Sequence, residues 1–212
     1  MSEKLKKVTV IEHPLVARDL SIVRDADTQT VEFRAALSRI ATILAYYALK
    51  ELPLRKKTIR TPIMETDGFD IDTDIFVVPI LRAGLSLVNA IINFVPEAKV
   101  GHLGMYRDEV THEPVDYYSK IPDGVENGLV LVVDPMLATG GSADDAISFL
   151  KNKGAKQIRF ISLISSPEGL ERVTKKHPDV PIITAAIDEK LNDDAFIVPG
   201  LGDAGDRYFG TH

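Results

Sequence analysis

Cysteine is absent from the 212 residues. That excludes disulfides and thiolate metal sites and fits a reducing compartment. Long apolar runs are absent too. The longest are strand-sized, well short of the roughly 20 residues a membrane span needs. The start, MSEKLKKVTVIEHP, has no apolar core of a signal peptide. A cytoplasmic location and no membrane partner are therefore expected. Positive charge is in deficit: 25 Lys and Arg face 31 Asp and Glu, for a net −6. A chain of this sign has no general attraction for nucleic acid, and no such partner is expected. An anionic ligand would have to be held by backbone N–H groups and a few placed arginines. There is no Pro/Ser-rich linker, repeat or low-complexity tract, so residues 1–212 read as one domain. His13, His102, His112, His177 and His212 do not fall at metal-ligand spacings. No Gly-x-Ser-x-Gly elbow supports a hydrolase triad.

What is present is an alternation of apolar strands and amphipathic helices. Ile75–Ile80, Lys99–Met105, Leu129–Val133, Ile158–Ile164 and Ile182–Ile187 read as strands. Between or before them, Thr30–Leu52, Gly84–Val95, Ser142–Lys153 and Pro167–His177 read as helices. The strands are almost wholly apolar, so both sheet faces should be covered. The expected fold is α/β: a doubly wound, mostly parallel sheet flanked by helices. Ligands of such sheets sit beyond the carboxyl ends of the strands. That rule selects the segments after Ile80, Val133 and Ile187.

The segment after Val133 is the most telling. Asp134 ends the apolar run LVLVV, Pro135–Gly141 reads as a loop, and Ser142 opens a helix. Thr139-Gly140-Gly141 at a helix start exposes N–H groups to a phosphate, and Asp134 adds an acceptor for hydroxyls. There is no P-loop lysine and no Gly-x-Gly-x-x-Gly. After Ile80, PILRAG offers Arg82, whose planar fork suits phosphate, and Gly84, whose exposed backbone can face a ligand, although taken alone the stretch better fits a solvated arginine at a strand end. Gly104–Ser119 reads as a hairpin or flap carrying Arg107. The tail Phe196–His212 interleaves glycines at 200, 202, 205 and 210 with apolar residues, Asp203 and Asp206. Glycine-rich backbone that is nevertheless packed can approach and read a flat heterocycle.

Together these segments resemble the type I phosphoribosyltransferases, in the branch specific for uracil. VLVVDPMLATGGS resembles the motif that binds 5-phosphoribosyl 1-diphosphate (PRPP), PILRAG the diphosphate loop, and HLGMYRD the start of the flap. IVPGLGDAGDRYFGT resembles the uracil-binding tail that other members lack. HPLV at 13–16 and RDADTQTVEFR resemble the N-terminal region, so the likeness spans nearly the whole chain. It implies that Asp134, Pro135, Met136, Leu137, Ala138, Thr139, Gly140, Gly141 and Ser142 hold the ribose hydroxyls and 5-phosphate. Arg82 and Arg107 would meet the diphosphate, and Asp203 would sit by the donor and its metal. Ile197, Gly202, Asp203 and Ala204 would bind uracil. Arg82, Asp134 and Asp203 are the expected catalytic groups. Mg²⁺ is expected to arrive chiefly with PRPP. A homodimer or homotetramer, and GTP or CTP as effectors, also follow from the likeness.

Most of the wider family carries two adjacent acids in the cradle. Here Pro135 follows Asp134, which matches the uracil-specific branch. No acid or base of suitable pKa is evident beside the tail, so orientation and leaving-group stabilisation are expected to outweigh general base catalysis. Three rivals stand beside this reading: an RNA-binding pyrimidine sensor, a non-catalytic phosphosugar-binding module, and a transferase for a purine. The net charge disfavours the first, intact Arg82, Asp134 and Asp203 the second, and the glycine-rich tail the third.

Overall fold

The structure, a computed structural model, describes residues 7–107 and 114–211. In chain order it runs β1 (Val8–Val10), α1 (Pro14–Arg24), α2 (Thr30–Ala48), β2 (Leu54–Arg60), β3 (Glu65–Ile71), β4 (Ile75–Leu81), α3 (Leu85–Phe94), β5 (Lys99–Val100), β6 (His102–Arg107) and β7 (Pro114–Lys120). It continues with β8 (Leu129–Val133), β9 (Met136–Leu137), α4 (Gly141–Asn152), β10 (Gln157–Ser165), α5 (Pro167–Lys176), β11 (Ile182–Ile187), β12 (Lys190–Leu191), β13 (Ile197–Val198) and α6 (Ala204–Phe209). The main sheet has the order β1-β11-β10-β8-β4-β6-β7. Every pairing in it is parallel except β6 with β7.

The apolar strands divide their side chains between two cores. Leu129, Leu131 and Val133 of β8 pack with α2 and α3 residues such as Leu37, Ile40, Leu87 and Ile91. Val130 and Val132 face the other way, onto Ala146, Ile147 and Leu150 of α4 and Leu170 and Val173 of α5. A strand buried on both faces has no polar side, so its sequence is a continuous apolar run. The chain leaves β4 for β6 on one side and later returns through β8 to the other. The crevice between the carboxyl ends of β4 and β8 is thus a topological switch point, the usual ligand position in such sheets.

The helix starts have local causes. His13 caps α1 by accepting from the Leu15 N–H at 3.1 Å, with Pro14 in the first turn. Ser166 caps α5 by accepting from the Gly169 N–H at 2.9 Å. Helix α2 stops at Ala48, short of the expected Leu52. The Leu52 N–H bonds instead to the Leu49 carbonyl in a closing turn. Pro53 disfavours helical geometry at the residue before it. The expected strand Lys99–Met105 is two pieces, β5 and β6, interrupted at Gly101. β2 and β3 form a hairpin off the main sheet, exposed along both faces. Among the described residues, no helix is long and apolar enough to cross a membrane.

Candidate active site

β8 does not release into a loop at Asp134. The Asp134 N–H still donates to the Ile161 carbonyl at 3.1 Å. Pro135 has no N–H, but its carbonyl accepts from both Leu163 and Ile164, at 3.0 and 3.1 Å. Met136 and Leu137 then pair with Ile164 and Ser165 in the register set by Val133 and Ile161. The expected loop 135–141 is therefore a continuation of the strand as far as Leu137. Only Ala138–Gly140 leaves the ladder.

That turn is pressed against the start of α5. The Ser166 N–H donates to the Leu137 carbonyl at 2.9 Å, and its hydroxyl donates to the Ala138 carbonyl at 2.6 Å. A Cβ on Gly169 would lie 2.4 Å from the Ala138 carbonyl oxygen. Gly140 takes φ +74° and leads into α4. The first-turn N–H groups of that helix have no intrahelical acceptor. Thr139 and Ser142 are exposed beside them. Asp144, in the same turn, faces away from this opening. It is buried against Arg172 at 2.9 Å, Lys176 at 2.8 Å and the His177 Nε2 at 3.2 Å. Burial pushes its carboxyl up, but the Lys176 and Arg172 contacts outweigh it and hold the carboxyl below its ordinary range.

Beside the turn lies a cleft of about 280 Å³, lined by Asp134, Met136 and Ala138 from the cradle side. Ile197, Gly202, Asp203, Ala204 and Gly205 close the opposite wall, with Ala83 from the end of β4. The structure thus brings Asp134, Asp203 and the base-reading candidates Ile197, Gly202 and Ala204 to one cavity. Burial pushes the Asp134 carboxyl up to about 7, the negative Asp203 adds to the rise, and a hydrogen bond from the Met136 N–H opposes it. The expectation that no group of near-neutral pKa stands by the tail is corrected: Asp134 is such a group. Asp203 caps α6, accepting from the Asp206 N–H at 2.8 Å.

Arg82 lies outside this lining. Its guanidinium meets Asp206 at 3.2 Å and sits 5.9 Å from the Phe209 ring centre. Gly84, read as backbone open to a ligand, is buried: a Cβ there would lie 2.4 Å from the Val133 carbonyl oxygen. Its smallness serves the close approach of the β4 turn to β8. β6 and β7 pair antiparallel with a register shift at Gly104/Met105, giving the hairpin expected over 104–119. Arg107 ends β6; its side chain, and residues 108–113 of the flap, lie outside the described residues. Asp194 and Ala195, which also line the cleft, were not expected. Nothing in LNDDAF marks them, since their place depends on the fold of the β12–β13 hairpin. Among the described residues, no group of three or more His, Asp or Glu side chains converges to hold a metal ion by itself.

The family model described as uracil phosphoribosyltransferase matches residues 10–211. A uracil phosphoribosyltransferase of Salinibacter ruber is 51% identical over 207 residues, 98% of this chain and 99% of that one. One of Clostridium perfringens is 52% identical over 208 residues, 98% of this chain and all of that one. Among solved structures, the AQ2163 protein of Aquifex aeolicus superposes with a TM-score of 0.90 at 38% identity, covering 96% of this chain and 98% of that one. A hypoxanthine phosphoribosyltransferase of Staphylococcus aureus superposes with a TM-score of 0.53 at 13% identity, covering 74% and 76%, and shares the fold alone. A strand-to-helix turn and a glycine-rich tail lining one cleft fit these likenesses, and the chain belongs to the uracil phosphoribosyltransferase family.

Proposed function

We propose that this protein transfers the 5-phosphoribosyl group of PRPP to uracil, giving UMP and diphosphate. The observation that carries this reading is the shared cleft: Asp134 and the cradle turn on one wall, Ile197 and Gly202–Ala204 on the other. A sugar phosphate held by Pro135–Ser142 would present its C1 carbon toward the tail. Uracil would be read there by main-chain groups around Ile197, Gly202 and Ala204.

Breaking the C1–O bond leaves its electron pair on diphosphate and positive charge on the ribose. Ionised Asp134 accepts from the ribose hydroxyls and favours that positive charge. Arg82 and Arg107 stabilise the departing diphosphate. Asp206 and Phe209 hold Arg82 beside the cleft until the donor arrives. The N1 nitrogen of uracil forms the new bond to C1, and its proton passes to solvent water. Asp134 and Asp203, two carboxylates on one cavity, fit a hard cation that takes oxygen ligands and also binds the substrate's phosphates. Asp203 is the side chain we place nearest that cation. Mg²⁺ entering with PRPP would supply charge neutralisation on the leaving group.

Main-chain groups offer a fixed row of donors and acceptors. Cytosine places an amino donor where uracil has a carbonyl, leaving buried groups unpaired. We take residues 1–212 as one catalytic domain acting in the cytoplasm. We place a dimer or tetramer contact on the β2–β3 hairpin, where Leu54, Ile63, Met64 and Phe69 are exposed. The decisive assay is turnover with uracil, cytosine, hypoxanthine and orotate, with and without Mg²⁺, and with GTP or CTP added. Uracil should be preferred over cytosine by about 10⁴ in kcat/KM. Comparable turnover of cytosine or of a purine overturns the reading.

A further inference from the structure

The tail that faces the cradle has almost no regular structure of its own. Between β13 and α6 lie Pro199–Asp203, with positive φ at Gly200 and Gly202. A segment of this kind holds its shape only if something else fixes its backbone. That support comes from the end of α1 and the end of β11, both distant in sequence. The Gly200 N–H donates to the Asp188 Oδ2 at 2.8 Å. The Gly200 carbonyl accepts from the Arg24 Nη1 at 2.8 Å. Arg24 and Asp188 are themselves joined by two hydrogen bonds, at 2.8 and 2.6 Å. One bidentate ion pair thus satisfies both backbone groups of a single residue. The site is tight: a Cβ on Gly200 would lie 2.1 Å from the Ile197 carbonyl oxygen.

Neighbouring contacts act in the same sense. Arg207 of α6 donates to the carbonyls of Val23, Leu201 and Asp25, at 2.5, 2.8 and 2.6 Å. Three consecutive residues, Val23, Arg24 and Asp25, therefore anchor Gly200 directly and, through Arg207, Leu201 and the start of α6. Arg24 and Asp25 open the N-terminal stretch RDADTQTVEFR, which has no other part in the proposed chemistry. Neither Arg24 nor Asp188 lines the cleft.

We propose that the Arg24–Asp188 pair positions the base-reading backbone, setting where the main-chain groups of Ile197, Gly202 and Ala204 meet uracil. This rests on the reading that uracil binds at that wall. The pair acts through Gly200 and touches no substrate. A displacement of reading groups by about 1 Å is enough to cost about 10²-fold in rate.

The test is steady-state kinetics on the full chain, varying uracil at saturating PRPP and the reverse, with thermal melts of each variant. Asp188→Asn keeps the shape but loses the charge. Arg24→Lys keeps the charge but loses the fork, and Arg24→Ala loses both. Phe196→Ala, on the rim of the same cleft, reports whether uracil binds there at all. Expected is a fall of about 10–100-fold in kcat/KM for uracil in Asp188→Asn and Arg24→Ala, with partial recovery in Arg24→Lys. The KM for PRPP should stay within about twofold of the parent. If Asp188→Asn does not fold, Arg24→Ala and Arg24→Lys, at a partly exposed position, decide together. Folded variants with unchanged uracil parameters, beside a Phe196→Ala that weakens uracil, overturn the positioning role. So do losses that fall equally on both substrates. If Phe196→Ala and the pair variants all leave uracil untouched, the base binds elsewhere, and the site reading fails first.

Discussion

The two walls of the cleft are built by opposite means. The cradle wall, Asp134–Ser142, is almost contiguous in sequence and rests on backbone. Pro135 bonds to β10, and Gly140 and Gly169 let the turn and α5 approach closely. The tail wall, Ile197–Ala204, is held by charged side chains that arrive from α1, β11 and α6. Backbone support is insensitive to salt and pH but intolerant of volume. Charged support tolerates shape changes poorly and loss of charge worse. The lesson concerns what each half of the reaction needs. A phosphate takes any convergent set of N–H donors, whereas a base must be read in one register.

The largest effect expected comes from Arg82, which stands outside both walls against Asp206 and Phe209. Arg82→Ala should lose about 10²–10³ in kcat, the usual cost of one charge-stabilising contact. Near-normal steady-state kinetics would remove Arg82 from the site and leave its Asp206 contact purely structural. Next comes pH. With Asp134 raised to about 7, the free enzyme is protonated there below neutrality. Then kcat/KM for PRPP should fall by about tenfold per pH unit well below 7, and Asp134→Asn should be uniformly weak with no such limb.

The same group predicts a stability trend of opposite sign. The folded state keeps the Asp134 proton to about 7, while the unfolded chain loses it near 3.8. Folded protein therefore binds more protons between those values, and this contribution to stability declines as pH rises across them. Asp134→Asn should match the parent's denaturant midpoint near pH 4 and exceed it near pH 8. A parent that gains on the variant toward pH 8 would show the carboxylate to be stabilised in the fold.

Volume should be felt more than charge at the α5 contact. Gly169→Ala would gain about 1 kcal/mol of helix propensity, yet its methyl would meet the Ala138 and Leu137 carbonyl oxygens at 2.4 and 2.7 Å. Overpacking of this kind costs about 1–3 kcal/mol. A net loss of stability in urea and a raised KM for PRPP, with KM for uracil unchanged, would show that α5 shapes only the cradle wall. The smallest effect belongs to Ala195, whose φ of +62° is left-handed. Ala195→Gly should stabilise the chain by about 1 kcal/mol, seen as a small rise in melting temperature. No rise would mean that the hairpin carries no strain there.

What could be read in advance follows from burial. β4 and β8 are covered on both faces and appear as unbroken apolar runs, β10 and β11 are largely apolar with Arg159, Ser162 and Thr184 as interruptions, and their helices follow by alternation. The strand-to-helix turn after β8 is legible because strand end, glycines and helix start are consecutive. The β2–β3 hairpin is not legible in the sequence, because both its faces are exposed and no apolar alternation marks it. Its pairing rests on the backbone ladder and on cross-strand charges such as Lys56–Asp67 at 2.6 Å. α1 has little apolar face to mark it, although its caps, His13 and Pro14, stand in plain view. Only Val16, Asp19 and Val23 of it are buried, and Asp19 is a charge held by Arg39 and Arg18.

The sequence by itself determined the class of fold, the position of the cradle and the candidacy of Asp134, Asp203 and the tail, because periodicity and glycine placement are local properties. Tertiary structure alone decided three things. Asp134 titrates near neutrality because burial and Asp203 act on it together. Gly84 packs a turn, where a ligand contact was expected, because the β4 and β8 ends converge. Arg24, 176 residues from Gly200, holds the tail because a segment with no regular structure must borrow its hydrogen bonds from wherever the fold brings partners.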